Sequence, residues 1–128
     1  MKSIGVVLTI LAGFLSAASS TETDERAMSA GDLQQACVAQ DATSKTACRV
    51  YILGVTQGIT VGMGMADGKV SGGRPCIPDN VSGGALELAV KMKLGADLTV
   101  YPADRELDAA GFIGAVMVKT FACSKPRH

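Results

Sequence analysis

The sequence predicts a small all-α domain, a bundle of about four to five helices stapled by two disulfide bonds. Apolar residues recur at helical spacing between turn-forming stretches, as at Leu86, Val90 and Leu94. Aromatic residues make up only 4% of the chain, so we expect helices that pack through small side chains. The cysteine count is even, at four, which in an exported chain indicates disulfide bonds.

The beginning of the chain predicts export. Lys2 is followed by an uncharged apolar run from Ile4 to Leu15 and then by small residues. This order is typical of a signal peptide, here residues 1–18 with cleavage after Ala18. A membrane-spanning helix needs about 20 apolar residues, and this run is shorter. We therefore expect the cleaved chain to be periplasmic and not associated with the membrane.

The remainder is long enough for one small domain. We expect residues 19–28 to be a polar, flexible lead-in and residues 29–128 to form the helical domain. The chain has twelve basic and twelve acidic residues, and signal cleavage removes only Lys2 from this balance. A nucleic-acid partner calls for a concentrated basic patch, so we expect none.

The first two helices are predicted to form a hairpin. Ser29 is the expected N-cap of the first helix, with Asp32 in its first turn. The stretch "DATSK" then interrupts the helical pattern, and Thr43 or Ser44 is the expected cap of the second helix.

The four cysteines allow three pairings. Cys37 lies one turn before the hairpin turn and Cys48 one turn after it, and residues equidistant from such a turn face each other. We therefore pair Cys37 with Cys48 and Cys76 with Cys123, bridges that contribute roughly 3 and roughly 4 kcal/mol on loop-entropy grounds. A zinc site is disfavoured because no pair has C-x-x-C spacing, and we expect no metal and no cofactor.

Three glycines of the second helix, Gly54, Gly58 and Gly62, recur at every fourth residue and so share one face. Each costs about 1 kcal/mol in a helix interior, so we expect another backbone to approach closely there. We favour a neighbouring helix of the same chain over a contact between subunits.

A glycine-rich loop follows the second helix. It has little apolar content, and exposed loops on a rigid frame often carry recognition. The first candidates for partner binding are therefore Met65, Asp67, Lys69 and Arg74.

The third helix is expected to begin after an N-cap at Ser82 and to end with a C-cap at Gly95. Glu87 and Lys91 are placed to form an i, i+4 ion pair on its polar side.

A final helix is predicted after Pro102, ending at Phe121. Asp104, Glu106 and Asp108 give it an acidic first turn, which suits the helix dipole. We interpret these carboxylates as a solvated helix start and not as an active site.

The sequence predicts no enzymatic activity. The only histidine is His128, the last residue. We therefore expect no buried imidazole that could activate a cysteine or serine nucleophile.

Three short motifs, taken in order, resemble one family. They are "CRVYILGV" from Cys48, "CIPDNVS" from Cys76 and "FACS" from Phe121. Their order and spacing, from about residue 33 to 123, resemble the Tai/Rap family of type VI secretion amidase-immunity proteins. Ala122 stands where a proline is more typical, and the Gly83–Gly84 pair is an unusually soft helix start. Neither departure touches the cysteine framework.

This resemblance implies a small helical periplasmic protein, usually a homodimer. It would bind a secreted amidase effector and block its active-site cleft, protecting the producing cell and its kin. The alternative is a periplasmic structural or chaperone-like helical domain with an unknown protein partner. A gene for a secreted amidase beside that of this chain would favour the first function.

Overall fold

The computed structural model describes residues 26–65 and 73–123, and the predicted signal peptide lies outside them. Four α-helices are present in the described part, and a short 3-10 helix, Pro102–Glu106, precedes the last. The α-helices, in chain order α1 to α4, are Ala30–Val38, Ala42–Met65, Gly83–Val100 and Ala109–Thr120. The predicted all-α bundle is confirmed.

The start of α1 is a capping box. The Ser29 hydroxyl accepts a hydrogen bond from the backbone N–H of Asp32 at 3.1 Å, and the Asp32 carboxylate accepts one from the N–H of Ser29 at 3.2 Å. Each side chain thus satisfies an N–H that has no partner within the helix. The predicted N-cap at Ser29 is confirmed.

The start of α2 differs from the prediction. The helix begins at Ala42, and the carboxylate of Asp41 accepts a hydrogen bond from the N–H of Ser44 at 2.8 Å. The expected caps at Thr43 or Ser44 are wrong, because both residues already lie inside the helix and the preceding aspartate satisfies the free N–H.

Two disulfide bonds staple the fold. Cys37 is joined to Cys48, 11 residues away, and ties the end of α1 to the start of α2. Cys76 is joined to Cys123, 47 residues away, and ties the segment before α3 to the end of α4. Both pairings are those that the hairpin argument predicts.

The core lies between all four helices. Its largest fully buried aliphatic side chains come from every one of them: Leu33, Ile52, Val90, Leu94, Leu98, Ile113 and Met117. Thr56 is the buried polar side chain of this core, and its hydroxyl donates to the carbonyl of Ile52 at 2.8 Å. The core is therefore apolar with its one hydroxyl satisfied.

The third helix does not end at Gly95, as the sequence suggested, but continues to Val100. Leu98, beyond the glycine, is only 2% exposed. Burying a leucine contributes about 2 kcal/mol, while a glycine inside a helix costs about 1 kcal/mol. The extra turn is therefore favourable despite the glycine.

The start of α3 is tied to α2. The Ser82 hydroxyl accepts from the N–H of Ala85 at 3.2 Å, which confirms the predicted N-cap. A Cβ on Gly83 would lie 3.2 Å from the side chain of Leu53. The glycine therefore permits the close approach of the two helices, which explains the soft helix start seen in the sequence.

One carboxylate bridges the same two helices further along. Glu87 forms the predicted i, i+4 pair with Lys91 at 3.6 Å and lies 3.8 Å from Arg49 of α2. Arg49 of α2 contacts Glu87 of α3. Leu53, four residues after Arg49, lies against Gly83, four residues before Glu87. The two helices are therefore antiparallel.

The predicted final helix is interrupted. Asp104 and Glu106 lie in the 3-10 helix, and Asp108 is the N-cap of α4, its carboxylate accepting from the N–H of Gly111 at 2.7 Å. The expected acidic first turn is wrong for the first two residues. The chain leaves helical geometry here because the carbonyl of Leu107 accepts the N–H of Ala30 at 2.8 Å, which seats α1.

Candidate functional site

The structure places the two ends of the loop predicted to bind a partner. Met65 is the last residue of α2, and Arg74 is exposed where the described chain resumes. Asp67 and Lys69 lie outside the described residues.

The far end of this loop is fixed to α4. The backbone N–H of Cys76 donates to the carbonyl of Phe121 at 2.7 Å, beside the disulfide from Cys76 to Cys123. Gly73 has a φ of 95°, a conformation that favours glycine. A Cβ there would lie 3.2 Å from the side chain of Val118. The loop thus returns onto α4 through a constrained turn.

A second feature is a groove formed by α3, the 3-10 helix and α4. It encloses about 440 Å³. Gly111 and Ala115, one turn apart on α4, leave room for it because neither has a large side chain. Its walls are contributed by charged and apolar side chains: Lys93, Asp97, Asp104, Leu107, Asp108, Phe112, Val116 and Lys119. We call this feature the α3–α4 groove.

The three aspartates of the groove lie near one end of α4, whereas its lysines, Lys93 and Lys119, lie on different helices. Asp97, Asp104 and Asp108 lie around the junction between α3 and α4, where the N–H of Tyr101 donates to the carbonyl of Asp97 at 2.7 Å. Lys119 lies at the other end of α4, about 16 Å from Asp108 at 1.5 Å per residue. The groove therefore has an acidic end and a basic residue at the opposite end of α4.

Asp108 also acts on a neighbouring tyrosine. Burial raises the pKa of the Tyr51 hydroxyl, and the negative charge of Asp108 raises it further. Both effects disfavour the phenolate, so the Tyr51 hydroxyl loses its proton less readily than that of a free tyrosine.

The glycine face of α2 points away from the bundle. Gly54 and Gly58 are exposed, and a Cβ on either, or on Gly62, would have no heavy atom of the described residues within 4 Å. The prediction of tight packing within the chain is therefore wrong. The reason is register: Ile52 and Thr56 face the core, so residues two positions further on face solvent.

The wider face of α2 around Gly54 is exposed and uncharged. Its residues follow the alternating four- and three-residue spacing of a helix-packing seam: Thr43, Ala47, Val50, Gly54, Gln57 and Val61. On the adjacent α3, Leu88 and Met92 are 57% and 66% exposed. We call these eight residues together the α2–α3 outer surface.

Sequence reasoning missed the α3–α4 groove and the α3 part of the outer surface. Leu88 and Met92 are one helical turn apart and lie off the Leu86, Val90 and Leu94 stripe. That spacing was a usable signal for a second apolar face. The groove had no comparable signal, because it depends on how α3 and α4 meet.

The described residues contain neither a candidate metal site nor a candidate membrane span. No cluster of three or more histidine, cysteine, aspartate or glutamate side chains with the geometry to hold a metal ion is found among them. Within the same residues, every helix is too short or too polar to cross a bilayer.

Comparison with known proteins identifies a family. The sequence profile of the Rap1a immunity proteins matches residues 29–123, a range that contains all four helices and both disulfides. No curated protein and no solved structure matches the chain.

Proposed function

Because the chain belongs to the Rap1a immunity protein family, we propose that it binds and inhibits a type VI secreted peptidoglycan amidase in the periplasm. The observation that carries this proposal is the span of the family match, which runs from the N-cap of α1 to the last cysteine. An inhibitor of this kind needs no chemistry of its own. It needs a rigid frame that presents a surface complementary to the toxin.

The disulfides support both the frame and the compartment. All four cysteines are paired, and none is free. Disulfides persist in oxidising compartments such as the bacterial periplasm. Together with the signal peptide predicted for residues 1–18, this supports export of the mature chain.

The loop from Met65 to Arg74 is the proposed contact with the amidase. Its two ends leave from parts of the fold that are held in place, α2 on one side and the Cys76–Cys123 bridge on the other. A loop anchored at both ends loses less conformational entropy on binding than a free tail does.

We further propose that two copies pair through the α2–α3 outer surface. From Thr43 to Val61 this surface is about 27 Å long, and two adjacent helices make it about 20 Å wide. Pairing would bury about 500 Å² on each copy, or about 1,000 Å² in total, the lower limit for a specific interface. The exposed glycines would let the backbones of the two copies approach closely.

The proposed function is tested with any amidase that is encoded beside the gene of this chain. The purified mature protein should bind that enzyme in titration calorimetry with saturable heat. Unrelated periplasmic hydrolases serve as the control. If no amidase encoded nearby is bound, the immunity function is wrong, and the structural or chaperone-like alternative takes its place.

A further inference from the structure

We infer that the α3–α4 groove receives a segment of the toxin that carries a large apolar side chain between a basic and an acidic residue. This inference rests on the proposed function and adds a second contact, remote in sequence from the loop of residues 65–74. It is carried by the shape of the groove and by the charges around it.

The shape favours an apolar side chain. Gly111 and Ala115 form the low part of the groove, and Phe112 and Val116 contribute apolar walls. A volume of about 440 Å³ lies in the range of ligand-binding clefts and exceeds that of one large side chain. When such a side chain enters the groove, water leaves its apolar walls, and the burial of apolar surface favours binding.

The charges favour flanking residues of opposite sign. Lys93, Asp97, Asp104 and Lys119 line the groove, and none of their side chains forms a hydrogen bond or ion pair with another described residue. Elsewhere in the fold the exposed Lys91 and Arg49 share Glu87. Unpaired charges beside an apolar cleft are available to steer and orient a charged partner.

The length favours a chain segment over a compact molecule. Gly111, Ala115 and Lys119 follow one another at intervals of four residues and therefore form a row along α4. The row is about 12 Å long, equal to about three or four residues of extended peptide. The acidic end faces a basic residue of the segment, and Lys93 and Lys119 face an acidic one.

The test compares amidase binding by variants that fill the groove or reverse its charges. Ala115→Trp places an indole in the groove from an exposed position, and Gln35→Trp places the same group on an exposed position of α1. Lys93→Glu reverses one charge of the groove, and Lys45→Glu makes the same change elsewhere on the exposed surface. Circular dichroism verifies that each variant retains its helices.

We expect Ala115→Trp and Lys93→Glu each to raise the Kd for the amidase by at least about tenfold. Both control variants should bind the amidase like the parent. Parent-like binding by Ala115→Trp and Lys93→Glu overturns the inference and leaves the proposed function standing. If Ala115→Trp fails to fold, the comparison of Lys93→Glu with Lys45→Glu decides. Failure of the parent to bind overturns the proposed function and this inference with it.

Discussion

The backbone N–H of Cys76 lies 2.7 Å from the carbonyl of Phe121, and two residues beyond that carbonyl Cys123 closes a disulfide with Cys76. A hydrogen bond and a covalent bond thus fix the segment before α3 to the end of α4. This relationship makes the returning end of the 65–74 loop part of the rigid frame.

The two disulfides are expected to stabilise the fold to different extents. The bridge from Cys76 to Cys123 closes a separation of 47 residues and the bridge from Cys37 to Cys48 one of 11. Loop entropy therefore predicts losses of about 4 and about 3 kcal/mol when each pair is replaced by serine. Urea unfolding of the two double-serine variants measures this difference. A smaller loss for the Cys76–Cys123 variant would contradict the order.

The cap of α2 is predicted to be Asp41. Asp41→Ala should lower the free energy of unfolding by about 1 kcal/mol, because the N–H of Ser44 loses its acceptor. Ser44→Ala keeps that N–H and should change stability by less than about 0.5 kcal/mol. Thermal unfolding of both variants decides between them, and a larger effect of Ser44→Ala would restore the cap that the sequence suggested.

Two aspartates should make the free energy of unfolding decrease at acid pH. Hydrogen bonds from the backbone N–H of Ser29 and of Ser44 lower the pKa of Asp32 and Asp41, respectively, below 3.8. Because the folded chain binds these protons less readily than the unfolded chain, their contribution is present above pH 3.8 and is lost as the pH falls through the lower folded values. Carboxyl carbon NMR titration measures both, and a pKa at or above 3.8 would exclude these caps in solution.

How far the sequence predicts this fold depends on whether the determining contacts are local. The caps at Ser29 and Ser82 and the Cys37–Cys48 hairpin follow from residues within a few turns of each other. The helix end at Gly95 does not, because burial of Leu98 against other helices extends α3 beyond it. The same limit applies to Gly54, whose exposure depends on which side of α2 meets the core.

The α3–α4 groove illustrates the same limit for the candidate site. Lys93 and Lys119 are distant in sequence, and only the packing of α3 beside α4 brings them to one groove. The loop candidates Met65 and Arg74, by contrast, were predicted from the composition of the loop alone.

The exposed glycines give a prediction that separates folding from dimer formation. Gly58→Ala displaces no atom of the described residues, so it should raise the stability of the isolated chain by about 0.5–1 kcal/mol. Gly95→Ala, also in a helix interior with open space around it, is the matched control for this gain. Destabilisation by Gly58→Ala alone would indicate close packing within the chain after all.

A bulky residue on the same face should weaken the proposed dimer. Gly54→Leu is expected to shift sedimentation velocity toward the monomer while circular dichroism stays unchanged, because this position is exposed in the single chain. Gln35→Leu, on an exposed position of α1, is the control. A parent protein that sediments as a monomer at all concentrations would contradict the dimer.

Shortening the loop tests its part in inhibition. Replacing residues 66–72 by a three-residue glycine linker should weaken inhibition of the amidase, because the proposed contact is removed. The helical content and the melting temperature should change little, since the core lies within the helices. Inhibition equal to that of the parent would place recognition elsewhere, with the helix surface from Ser82 to Leu94 as the next candidate.

Toxin inhibition itself is tested most directly by titrating the purified mature protein into a peptidoglycan-cleavage assay with an amidase encoded beside its gene. We expect the release of cleaved peptide to fall to the buffer rate at about one chain per enzyme. Undiminished cleavage at a large excess of folded, disulfide-bonded protein would contradict the immunity function.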